Sequence, residues 1–369
     1  METITFIISG IECRKKDWDG SLIRNGNVGV SGTEQTFVII AEHFASLGHK
    51  VIICSPSCKP GIAYCVEYCK ELSKETVAET NILVIVSWIM NLTTMIFPKL
   101  YKLIINFQCP NYDHPQDLDA FLNVHKGIRV KAVYTSEWTR IPAGNYRVDD
   151  DIVIGNPLMM DVINDKTIDF ENNRDLSFVW HACWERGGHL AKRVFDSVNG
   201  VRFMIMDYYG KSEMPTVSDN KIITLCSADK KTVVDVLSKT GYFVYPLVLP
   251  NGSVHKDTFA CCVAEAIALG VIVLTWPIAA LPELYPEGNG IVYLPFPRNA
   301  NVSGLLSSFG FNDMSLNSQE AVDIISKKIK ELEDDVERKK ELRRRGIDWA
   351  RSKYNAKTIC EMWGKFIFK

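Results

Sequence analysis

Two carboxylates eight residues apart, Asp257 and Glu265, frame the stretch DTFACCVAEAIALG at 257–270. Phe259, Cys262, Val263, Ala266, Ile267 and Gly270 recur there at helical spacing, so a helix beginning near residue 258 is expected to turn one stripe to a core. Eight residues are two turns, roughly 12 Å of helix. The amides of Thr258, Phe259, Ala260 and Cys261 would lie at the electropositive N-terminus, where a phosphate is stabilised. That length matches the reach from the sugar to the ribose of a nucleotide-sugar, with the diphosphate over the amides. A cation is close in sequence to a second strand end: SFVWHA runs into Cys183-Trp184-Glu185-Arg186-Gly187-Gly188, and Arg186 there could neutralise a leaving diphosphate.

A third candidate is the turn Gly29-Val30-Ser31-Gly32-Thr33-Glu34, which opens a helix with Phe37, Ile40, Ala41, Phe44 and Leu47 on one stripe and Gly48 as its stop. Small residues such as Ser31 and Gly32 at a strand-to-helix turn let backbone amides approach a phosphate or a sugar hydroxyl. Cys54, Cys58, Cys65 and Cys69 form a group that could hold zinc, and a helix would put Cys65 and Cys69 on one face. Cys54 ends a strand, however, and no histidine ligand is near, so no metal is expected.

These residues need a frame, and the apolar runs supply it. Strands are expected at 3–8, 51–54, 82–86, 103–107, 130–135 and 152–154. A second series follows at 177–182, 201–206, 221–225, 242–249, 271–275 and 290–294. Repeated β-α units imply two parallel sheets with helices on both faces. The pattern divides into an N-terminal domain at 1–157, a polar linker at 158–176, a second domain at 177–345 and a closing helix at 346–369. Segment 318–345 is helical, with Ile325, Ile329, Leu332 and Val336 on one stripe and the pairs Asp334–Arg338 and Asp335–Lys339 at pairing distance. Trp349, Ile359, Trp363 and Phe366 would form the packing face of the closing helix.

At 369 residues and 47% hydrophobic content the chain suits two cores, and a net charge of −2 gives no general attraction for nucleic acid. No basic leader precedes the first apolar run and no stretch is long enough to span a bilayer. A soluble protein of the cytoplasm is expected, its eleven cysteines reduced. A dinucleotide-binding turn would need G-x-G-x-x-G directly after the first strand. Here that strand ends at Ser9-Gly10, far ahead of the glycines, which disfavours an NAD-dependent oxidoreductase or epimerase.

An acid, seven residues, then Glu in an EA-x-A-x-G setting resembles the E-x7-E signature of retaining GT-B glycosyltransferases, especially glycosyltransferase family four, with Asp257 in place of the first Glu. TWPIAALPELY at 275–285 resembles the segment that follows the signature. Gly29 to Glu34 is similar to the family's Gly-Gly-x-Glu loop, with Ser31 for the first glycine. Arg186-Gly187 is similar to the second of its two customary cations, and His181 or Ala182 stands where the first would be. The resemblance implies two Rossmann-like domains with parallel sheets facing across a cleft, and a C-terminal helix crossing back to the first. It implies that Glu265 holds the ribose, that Asp257 with the following amides holds the sugar, and that Arg186 stabilises the diphosphate. Transfer to a glycan or other hydroxyl acceptor would retain anomeric configuration, with no metal and no cofactor. Tyr208, Tyr209 and the run 226–241 resemble the nucleotide-base region, which does not separate UDP from GDP. His114, with Tyr112, Asp113 and Trp138, falls where an acceptor is expected, and Asn106 or Gln108 ends the strand before them. Asp257 and the missing cation leave open a second reading, a GT-B-like binding subunit without transfer.

Overall fold

The computed structural model describes residues 1–8, 17–26, 28–86, 92–108, 115–141, 148–164, 168, 176–206, 221–225, 228–303 and 313–369. The chain divides into two compact units, one of residues 1–159 with 356–369 and one of residues 160–355.

The first unit holds β1 (Thr3–Ile8), β2 (Lys50–Cys54), β3 (Gly61–Ala63), β4 (Val66–Cys69), β5 (Ile82–Val86), β6 (Lys102–Phe107), β7 (Arg129–Tyr134) and β8 (Asp150–Val153). They form one sheet in the order β3-β4-β2-β1-β5-β6-β7-β8. Every pairing is parallel except β3 with β4. Runs such as ILVIV in β5 are buried along their whole length, as a sheet covered on both faces requires. The β3–β4 hairpin replaces the helix expected around Cys65 and Cys69. Its two turn residues, Tyr64 and Cys65, both have positive φ (48° and 62°), the geometry that joins twisted strands through two residues.

Helix Gly32–Ser46 buries Phe37, Ile40, Ala41 and Phe44 as expected, whereas Leu47 caps the helix and is exposed. Helix Ala356–Phe368 docks on it: Trp363 meets Phe37 edge-on at 6.0 Å and Phe368 meets Phe44 at 5.8 Å. Burying Ile359, Trp363, Phe366 and Ile367 contributes roughly 1.5–3 kcal/mol each. Two buried lysines complete the joint. Lys131 Nζ donates to the Phe366 carbonyl at 2.9 Å and lies 4.5 Å from the Phe366 ring centroid, and Lys102 Nζ donates to the Ile367 carbonyl. Cations here satisfy carbonyls that the end of a helix leaves without partners.

The second unit holds β9 (Ser177–Trp180), β10 (Arg202–Ile205), β11 (Ile222–Thr224), β12 (Tyr242–Val244), β13 (Ile272–Thr275) and β14 (Ile291–Tyr293), all parallel, in the order β11-β10-β9-β12-β13-β14. The strand expected over 242–249 is therefore cut to three residues. Tyr245 N–H still bonds Leu274 O, but Pro246 has no N–H to continue the ladder, and Leu247 turns out at φ +56°. The helix expected over 318–345 is two, Gln319–Asp334 and Val336–Lys353, with Asp335 capping the second through the Arg338 amide. Lys339 pairs with Glu333 across that break. Trp349 packs on Tyr285 and Tyr354 of the second unit and takes no part in the closing helix. Gly346 lies so close to Gly290 that a Cβ on it would meet the Gly290 Cα at 2.8 Å, which holds helix 336–353 tight against this unit's core. From that helix Arg343 donates to Gly270 O and Arg351 to Ala268 O, at the C-terminus of helix Cys261–Ala268.

Candidate functional site

In the second sheet the chain steps from β9 outward through β10 to β11, returns to β12 beside β9, and steps outward the other way to β13 and β14. The direction reverses between β9 and β12. In open α/β sheets the crevice at the carboxyl ends of strands flanking such a reversal is the usual ligand site. Arg186, Asp257 and Glu265 lie there.

At the end of β9 the chain passes His181 and makes a single tight turn, Trp184–Arg186, before Gly187. Gly187 has φ +125°, and a Cβ on it would lie 2.5 Å from Pro246 Cγ, so only glycine brings Arg186 this close to the end of β12. Arg186 Nη1 lies 3.5 Å from Asp257 Oδ1 and His255 Nε2 3.7 Å from the same oxygen, while Tyr245 Oη donates to Asp257 Oδ2. Burial alone would raise the Asp257 carboxyl. Arg186, then His255 and Tyr245, outweigh it and hold the acid well below the usual carboxylate range. Arg186 retains 32% side-chain exposure against 13% for Asp257, so the cation is the member open to a ligand.

Asp257 is not on the helix. That helix runs Cys261–Ala268 with Ala260 as its N-cap, three residues later than expected. The Asp257 carbonyl accepts from Ala280 N at 3.4 Å in the loop after β13, and its carboxylate is taken by Tyr245, so tertiary bonds override helical spacing. Thr258 is buried, and Phe259 turns into an aromatic group with Tyr354 at 5.1 Å and Tyr285 at 6.3 Å. Cys261 is the first helical residue and is half-buried. Two non-glycine residues in the left-handed region, Leu247 after β12 and Ala279 (φ +52°) after β13, flank Asp257. Such strain gathers at functional sites.

Glu265 sits apart from that group, only 5% exposed in its side chain. Lys230 Nζ donates to its Oε1, and His181 Nε2 lies 2.9 Å from its Oε2. Burial would raise this carboxyl too, but Lys230 and then His181 pull it down to about 2. An ionised carboxylate only accepts, so His181 must carry its proton on Nε2. Each oxygen keeps a further lone pair for a ligand hydroxyl.

Tyr245, His255 and Lys230 were not among the expected site residues. Lys230 did leave a signal: a cation in the first turn of a helix, Lys230–Leu237, opposes the macrodipole unless an acid offsets it. In the first unit Ser31 is the N-cap of helix Gly32–Ser46, its hydroxyl bonded to Glu34 Oε2. Trp138 is half-buried in the single turn Glu137–Arg140 after β7. Gln108 exchanges two 3.0 Å amide hydrogen bonds with Asn156 just beyond β6 and β8, and also donates to Asn106. Tyr112, Asp113, His114, Tyr208 and Tyr209 lie outside the described residues. Among the described residues no group of three or more His, Cys, Asp or Glu is arranged to hold a metal ion, and no helix is long and apolar enough to cross a membrane.

No family model matches the chain, and no curated protein matches it in sequence. Solved structures do match in fold. A glycosyltransferase from Rickettsia africae superposes with a TM-score of 0.65 at 11% identity, covering 99% of this chain and 97% of that one. Sucrose-phosphate synthase from Thermosynechococcus elongatus gives 0.63 at 10%, covering 99% and 98%. HepE from Anabaena, in complex with UDP-glucose, gives 0.64 at 12%, covering 99% of each. The chain therefore has the GT-B fold, two parallel-sheet α/β units, as the sequence resemblance implied.

Proposed function

We propose that the protein is a glycosyltransferase that moves a sugar from a nucleoside diphosphate to a hydroxyl acceptor, with retention of configuration and without a metal. The observation that carries this reading is the Arg186–Asp257 pair ahead of the Cys261–Ala268 helix, at the strand reversal of a GT-B unit. HepE is a protein of this fold that was solved with UDP and with UDP-glucose, which favours UDP here.

In this reading Arg186 binds the diphosphate and neutralises the charge that builds on it as the glycosidic bond breaks. The amides at the start of helix 261–268 add their dipoles. Asp257, kept ionised by Arg186, receives hydroxyls of the transferred sugar. Glu265 uses its remaining lone pairs for the ribose hydroxyls, with Lys230 and His181 fixing its orientation. A fixed guanidinium with helix dipoles does the electrostatic work that a divalent cation does elsewhere.

Thermal shift across a panel of UDP-, GDP- and ADP-sugars, followed by product NMR, tests it. A shift with UDP-sugars, transfer that survives EDTA and a retained anomeric linkage are expected. Inverted linkage, or activity that EDTA abolishes and Mg²⁺ restores, refutes the mechanism. Binding with neither hydrolysis nor transfer would make the chain a nucleotide-sugar-binding subunit.

A further inference from the structure

The first unit carries a group of thiols that the proposed transfer does not use. Cys54 closes β2, Cys69 closes β4, and the two are partners in the parallel register of those strands. Neighbouring strands lie about 4.7–4.9 Å apart, inside the Cα–Cα window of about 4.4–6.8 Å that a disulfide tolerates. The Ser55 amide donates to Cys69 O at 3.0 Å and fixes the two chain ends side by side. We propose that Cys54 and Cys69 are a reversible redox pair, closing to a disulfide that staples β4 and its hairpin to β2 at the carboxyl edge of the first sheet.

The two members have different roles. Cys69 is half-exposed and Cys54 is buried. The neighbouring sulfur lowers the Cys69 thiol, and together with burial it raises that of Cys54. Cys69 is thus the sulfur that ionises first and meets solvent. Its thiolate attacks one sulfur of a low-molecular-weight disulfide and expels the other half as a thiolate. Cys54 then loses its proton to solvent and attacks Cys69, displacing the second half. Two protein thiols are oxidised, one small disulfide is reduced to two thiols, and no other reactant is needed. Cys58, fully buried and raised by that burial, stays reduced.

The test uses the full chain in glutathione redox buffers, with alkylation quenching and tandem mass spectrometry to site each bond. Oxidation should remove two alkylatable thiols together and join residue 54 to residue 69, and dithiothreitol should restore both. Cys58→Ser should leave this unchanged. In Cys54→Ser, Cys69 should accumulate as a glutathione mixed disulfide, because the resolving thiol is gone. A link from Cys58 or Cys65 to Cys69 in the wild-type chain overturns the proposal. So does a wild-type chain whose residues 54 and 69 remain alkylatable in fully oxidising buffer, or a Cys54→Ser chain with no adduct on Cys69.

Discussion

Lys230→Met removes one of the two bases that hold Glu265 and leaves the carboxylate buried with His181 alone. The folded protein keeps the Glu265 carboxyl at about 2, against an ordinary 4.5. At about 1.4 kcal/mol per unit the difference is worth on the order of 3 kcal/mol. Breaking a buried pair typically costs about 3–5 kcal/mol, so the two routes agree. His181 keeps part of the interaction, and a loss of roughly 2–3 kcal/mol near neutral pH is expected. The sign with pH is fixed. A depressed acid contributes stability above its unfolded value and gives it up as pH falls from about 4.5 toward 2. Without Lys230 the folded value rises, so the variant has less to lose on acidification. The gap between the two proteins is therefore at its full size above about pH 5 and closes as pH falls toward about 2. Urea unfolding should be followed by fluorescence and by hydrogen exchange of the β9 and β12 amides, which reads the second unit separately. A gap below about 1 kcal/mol, or one that does not change over that pH range, would refute the reasoning.

Arg186→Ala should weaken UDP binding about ten- to a hundredfold in calorimetric titration, the value of one charged hydrogen bond; an unchanged Kd would mean another cation binds the diphosphate. Ala279→Gly relieves an L-residue at φ +52° and should raise stability by up to about 1 kcal/mol; a lower Tm would show that the loop is not strained. Lys131→Met removes the donor to Phe366 O and should cost roughly 1–3 kcal/mol, with faster hydrogen exchange across 356–368; protection equal to wild type would deny the lysine its capping role.

Most strands could be read from the sequence because a doubly covered parallel sheet needs uninterrupted apolar runs, and β5 and β13 are such runs. The β3–β4 hairpin could not. Its positive-φ turn is made by Tyr64 and Cys65, which carry none of the Gly or Asn signature that such turns normally show. Asp257 was misplaced for a related reason. Eight residues to Glu265 suit two helical turns, but the hydroxyl of Tyr245, twelve residues earlier, and the Ala280 amide, beyond the next strand, claim the acid first. Periodicity carries no information on such long-range bonds. Arg186 stood out in the sequence as a cation between a strand end and a glycine, and its pairing with Asp257 is what the structure adds, whereas Tyr245 hid within an apolar run as one more strand residue.

The lysine-clamped joint of the last helix bears on how the protein is made. Lys102 and Lys131 find their carbonyl partners 265 and 235 residues further along the chain. As the polypeptide emerges, the first unit is therefore started early and completed late. Until residues 356–368 arrive, two cations and the apolar surface around Phe37 and Phe44 stand uncovered. The second unit, continuous in sequence, can mature in the meantime. The first unit, though N-terminal, is then the last to be completed, and its full eight-stranded sheet waits with that face uncovered.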